Sequence, residues 1–72
     1  MTTKMEAVVK IGAKVKRERY AQTMTQAQLA KKAGITAASL ARIENDQVDP
    51  HVSTIRKLSD ALGVEPRYLL ED

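Results

Sequence analysis

Apolar positions along this 72-residue chain recur at intervals of three and four, a periodicity that predicts helices and no strand. Val8, Ile11, Gly12, Val15 and Arg19 mark one stripe of a first helix, running from about Lys4 to about Thr23 with a basic opposite face. Gly12 inside that stripe costs ~1 kcal/mol of helix propensity relative to Ala, which predicts close packing against another backbone. A second helix starts at Thr25, whose spacing to Gln28 is that of a capping box, and buries Leu29, Ala30 and Ala33. Gly34 supplies a left-handed helix end, with Ile35 folding back as its hydrophobic contact. Thr36 caps a third helix, Ala37 to Asn45, that turns Leu40 and Ile43 inward and Ala37, Ala38, Ala41 and Arg42 outward. The polar connection Asp46 to Pro50 breaks the helix, because proline disfavours helical geometry at the residue before it. A fourth helix carries the stripe Val52, Ile55, Leu58 and Leu62; Gly63 ends it, and Pro66 opens a short last helix with Tyr68, Leu69 and Leu70. The expected architecture is all-α: one five-helix domain over residues 1–72, with a helix-turn-helix element at 25–45.

Length and composition narrow what such a domain can do. A chain this short buries only ~60% of its unfolded surface, enough for one small core and no deep cavity. There is no Cys and a single histidine, His51, so neither a disulfide framework nor a Cys/His metal site is available. Catalysis finds no paired carboxylates in a plausible cleft and no glycine-rich phosphate loop, so no enzyme, cofactor or metal is expected. His51 reads as a polar cap or a phosphate neighbour. No run of 18 apolar residues exists and the N-terminus lacks a leader pattern, so the expected location is the cytoplasm. Two tyrosines are too few aromatic anchors for a membrane-surface peptide.

Charge adds a direction. The formal net charge is +3, but residues 1–36 carry eight basic against two acidic side chains, while residues 37–72 carry four against seven. One end of the fold should therefore attract polyanions.

With IGAKVKRER in the first helix, TQAQLAKKAG in the second, ITAASLARIEN in the third and the later P…TI..LSDALGV stretch, the chain resembles helix-turn-helix transcriptional regulators of the Cro and phage-repressor (XRE) type. The resemblance runs from about Ile11 to Leu70 and implies a compact domain of the lambda-repressor-like kind, encoded by a bacterium or phage. It implies that Arg19 and Glu44 form a structural ion pair joining the first helix to the end of the recognition helix. It also implies that the start of the second helix meets a DNA phosphate, with Gln26 donating from its amide and Thr25 capping. Thr36, Ala37, Ala38, Ala41 and Arg42 become the base-reading face. Arg42 suits guanine O6 and N7, whereas the alanines can touch a thymine methyl but bond to no base. Asn45, Gln47 and Arg17 complete the phosphate contacts, with Lys10 and Lys14 as further basic support.

Two departures from the family pattern stand out. Small residues occupy Ala37 and Ala38, where relatives carry long polar side chains. Asp46 stands where glycine is common, with Asp49 nearby in a loop that usually faces the DNA backbone. Aspartate tolerates a left-handed turn, but its charge should lower affinity.

The reading is a sequence-specific double-stranded-DNA-binding transcriptional regulator, a repressor acting as a homodimer on a pseudo-palindromic operator. Tyr68, Leu69, Leu70 and the residues around Gly63 offer an apolar contact patch for the dimer. The alternative is a protein-interaction module, such as the DNA-binding antitoxin partner of a toxin or an adaptor with weakened DNA reading. The alanine-rich face and acidic loop are its support.

Overall fold

The computed structural model describes residues 10–71 and contains five helices: α1 (Gly12–Ala21), α2 (Gln26–Ala33), α3 (Ala37–Glu44), α4 (Val52–Leu62) and α5 (Pro66–Leu70). Among the described residues there is no strand. Helix α2 packs on α3 and α4, α1 crosses α3 and α4, and α5 closes against α4. Their apolar stripes meet in one core, where Ile11, Val15, Leu29, Leu40, Leu58 and Leu69 are fully buried. Each such side chain contributes roughly 1.5 to 3 kcal/mol of burial, so this core is the principal source of stability.

The helix ends follow local chemistry. At α2 the Thr25 hydroxyl accepts from the Gln28 N–H (3.1 Å) while the Gln28 side chain accepts from the Thr25 N–H (2.8 Å), completing the capping box. Gly34 (φ 75°) and Gly63 (φ 73°) end α2 and α4 in the left-handed conformation, and the Ile35 and Val64 N–H groups close back onto the carbonyls of Ala30 and Ser59.

Helix α1 is shorter than its sequence pattern suggests. Lys4 to Val9 lie outside the described residues, and Lys10 and Ile11 precede the helix. The Gly12 N–H, the first of the helix, donates to the Asp46 carboxylate (3.3 Å). At the other end, Thr23 takes a positive φ of 54° and stops the helix at Ala21. A β-branched residue there is strained, and its hydroxyl donates to the Gln22 carbonyl (2.6 Å).

Two further expectations change. Val52 does not join the buried stripe of α4; at the first position of that helix it overhangs the core and is 71% exposed. Ser59 and Ala61 are buried instead, the Ser59 hydroxyl donating to the Arg56 carbonyl. The α5 patch divides in the same way: Leu69 is core, Tyr68 packs half-buried against it, and only Leu70 of the three is exposed. Leu69 is therefore closing the domain and cannot also face a second copy.

Lys14 is likewise committed. Its Nζ donates to the carbonyls of Tyr68 (2.9 Å) and Glu71 and lies 5.0 Å from the Tyr68 ring centre, while the Tyr68 hydroxyl donates to Glu18 (3.0 Å). A lysine at the carbonyl end of α5 is favourably placed in the helix dipole. It ties α1 to α5 and is not free support for a polyanion.

Candidate nucleic-acid interface

The candidate surface is built around one buried carboxylate. Glu44, the last residue of α3, is 4% exposed. Its two oxygens accept from Arg19 Nε (2.7 Å) and Nη2 (2.9 Å), a bidentate fork that connects α1 to the end of α3. The third arm of the guanidinium, Nη1, donates to the Met24 carbonyl (2.9 Å), and the Tyr20 ring stacks 4.6 Å from its centre. Each of the three guanidinium nitrogens of this buried arginine therefore has a protein acceptor, and its charge is paired.

Gln26, at the start of α2, adds a third bond: its amide donates to Glu44 Oε1 (3.0 Å). Burial pushes the Glu44 carboxyl up. The hydrogen bonds from Arg19 and Gln26 and the attraction of Arg19 and Lys16 outweigh that and hold it below its ordinary value. The hydrogen bond to Glu44 in turn raises Arg19 above its own. Lys16 belongs to this neighbourhood, a basic residue that the periodicity of α1 gave no reason to single out.

This network fixes the start of α2 against the end of α3. Part of the Gln26 amide is spent internally, so the sequence-based picture of a free side chain needs revision. The Glu44 bond orients the half-buried group and leaves its remaining N–H and its carbonyl for an external partner.

Along α3, Thr36 caps the helix by accepting from the Ser39 N–H (3.0 Å), and Thr36, Ala37, Ala38 and Arg42 are exposed as expected. Ala41 is only half-exposed. Among the described residues no ion pair engages Arg42. Beside it, α3 and the 48–51 segment border an open cleft of about 230 Å³, lined in part by Ser39, Arg42, Val48, His51 and Thr54. His51 occupies the cap position of α4 but makes no side-chain cap bond, so its role as a polar cap is not realised. Thr25, Arg17, Asn45 and Gln47 are exposed. Asp46 adopts φ 57°, the left-handed turn that aspartate tolerates, and aims its carboxylate at Gly12.

The described residues hold no group of His, Asp or Glu placed to bind a metal, and no helix of the described chain is long and apolar enough to cross a membrane.

Comparison with known proteins agrees with this arrangement. The helix-turn-helix family model matches residues 14–69. The immunity repressor protein of Bacillus phage phi105 is 38% identical over 55 residues, covering 76% of this chain; the chain spans only 38% of that repressor's length. Among solved structures, the restriction-modification controller protein C.AhdI from Aeromonas hydrophila superposes with a TM-score of 0.82 at 31% identity, over 90% of this chain and 98% of that one. The P22 c2 repressor in complex with a synthetic operator gives a TM-score of 0.80 at 28% identity, over 85% and 92% respectively. The five helices fall in the same arrangement as these lambda-repressor-like domains, and the chain belongs to the helix-turn-helix family.

Proposed function

We propose that this protein is a sequence-specific double-stranded-DNA-binding transcriptional repressor that acts by occupying an operator, without chemistry and without a cofactor. The observation that carries the reading is the face of α3: Thr36, Ala37, Ala38 and Arg42 stand exposed on a helix whose far end is anchored by the buried Arg19–Glu44–Gln26 network. A helix so held can enter a major groove without losing its orientation. Arg42 is the base reader, suited to bidentate contact with guanine; Thr36 and the half-exposed Ala41 flank it, and Ala37 and Ala38 allow close approach to thymine methyls. Thr25, Gln26, Arg17, Asn45 and Gln47 meet phosphates and set the register. A module with so few base contacts needs two copies on a pseudo-palindrome, half-sites ~34 to 36 Å apart. The homodimer is part of this proposal.

A second reading, a protein-interaction module, draws on the loop after α3. Val48 in that loop and Val52 at the start of α4 are 44% and 71% exposed, next to Asp49 and with no lysine or arginine between Arg42 and Arg56. Such a surface suits a protein better than a phosphate backbone.

Selection from a random duplex library, repeated at two salt concentrations, separates the two. Enrichment of a two-fold symmetric site with half-sites about 10 base pairs apart is the expected outcome, and failure to enrich any sequence would favour the protein-interaction reading. On the enriched site, Arg42→Ala should cost ~1 to 3 kcal/mol and relax one position, whereas Gln26→Ala should weaken specific and random DNA alike.

A further inference from the structure

The loop that follows the recognition helix carries an aspartate where electrostatics alone would place a neutral or basic residue. Asp46 does more than turn the chain. Its Oδ1 lies 3.3 Å from the Gly12 nitrogen, 34 residues earlier, and receives the first N–H of α1. That donor has no partner within its own helix, and an acceptor carboxylate at a helix start also meets the positive end of the dipole. The joint is tight. A Cβ on Gly12 would lie 2.6 Å from the carbonyl oxygens of both Ile43 and Glu44 and 2.7 Å from Asp46 Oδ1. The beginning of α1 thus sits directly on the last turn of α3, and the Asp46 side chain latches the two together.

We propose that Asp46 is a positioning residue for DNA binding: its carboxylate pins the segment bearing Asn45 and Gln47 to the start of α1, so that these groups meet phosphates from a fixed backbone. The inference rests on the DNA-binding reading above. Charge by itself argues the other way, since an acidic side chain near phosphates weakens binding. Two neutral substitutions separate the effects. Asp46→Asn keeps an acceptor oxygen and a residue that tolerates the left-handed turn; Asp46→Gly keeps the turn and loses the acceptor. Both remove the charge, and Gly12 amide exchange in the free protein reports the latch separately from any phosphate contact made by the asparagine NH₂.

Asp46→Asn should bind duplex DNA roughly 3- to 10-fold more tightly than Asp46→Gly, on specific and random sequences alike, as expected for one lost hydrogen bond. Binding is measured well below either melting temperature, where a purely structural role would leave the two equal. In the free protein, the Gly12 amide should exchange with solvent faster in Asp46→Gly than in the wild type and Asp46→Asn. Equal affinities of the two variants beside a binding wild type would overturn the positioning role alone. A wild type that binds no duplex at low salt would overturn the DNA reading and the role with it. Equal Gly12 exchange in all three proteins would overturn the latch whatever the DNA result.

Discussion

The two ends of α3 are held by different means. At its start, Thr36 accepts from Ser39, a bond reaching three residues, and Thr36 and the Ala37 and Ala38 side chains that follow are open to solvent. At its end, Glu44 is bonded to Arg19 and Gln26, 25 and 18 residues away, while Asp46, just past the last turn, is bonded to Gly12, 34 residues earlier. Local bonds fix the shape of the exposed end and leave its surface free. Long-range bonds fix the position of the buried end and engage both oxygens of Glu44. Orientation is therefore set at the buried end of a single eight-residue helix, while its exposed face runs from Thr36 to Arg42 in the last turn, and damage to the anchor should be distinguishable from damage to the face.

The largest effect is expected at the buried end. Glu44→Ala strands the Arg19 guanidinium and should cost ~3 to 5 kcal/mol. At ~4 to 8 °C per kcal/mol in a domain of this size, calorimetry should register a fall of at least about 12 °C, and an unchanged melting temperature would reject the brace. Glu44 also makes stability depend on pH. Its folded carboxyl titrates below the unfolded one, so on acidification the unfolded chain takes up the proton first. This contribution is complete above the ordinary glutamate range and is lost as the pH falls through the folded value. The acid limb of the stability profile should flatten in Glu44→Gln.

Gly12→Ala comes next. Its methyl meets two backbone carbonyls that cannot rotate away, and overpacking of this kind costs ~1 to 3 kcal/mol. A denaturant midpoint unchanged beyond the small propensity gain of alanine would show that the joint yields. Smallest is Thr36→Ala at the exposed end, which removes a cap worth ~1 kcal/mol. There the comparison sharpens: Glu44→Ala should hurt stability far more than Thr36→Ala, while Thr36→Ala should weaken DNA binding measured on fully folded protein.

Much of this architecture was legible in the sequence, because the rules involved are local. The Thr25/Gln28 capping box, the Gly34 and Gly63 helix ends and the inward Leu40 and Ile43 each depend on residues within a few positions of one another. Gly12 announced a close approach without naming the partner, which turned out to be the carbonyls of Ile43 and Glu44. What the sequence hid was competition for side chains. Lys14, apparently a free cation, is taken by α5 carbonyls, and part of the Gln26 amide by Glu44. Thr23 hid a left-handed turn because it is not glycine, and Val52 kept the spacing of a core residue at a position that overhangs the core. The Arg19–Glu44 pair was expected from family resemblance; periodicity would have left Glu44 as one more solvated charge.

The long reach of the bonds at the buried end also orders events in time. The turn between α2 and α3 and their caps join residues close in sequence, whereas the Arg19–Glu44 fork closes a loop of 25 residues and the Lys14–Tyr68 bond one of 54. Loop closure slows contacts of high sequence separation, so the recognition pair should be assembled in the folding transition state and α1 should dock afterwards. Glu44→Ala would then speed unfolding roughly 10²- to 10⁴-fold and barely slow folding. In stopped-flow experiments the unfolding arm of the chevron should rise while the folding arm stays in place, making α1 the timer of how long the folded state persists.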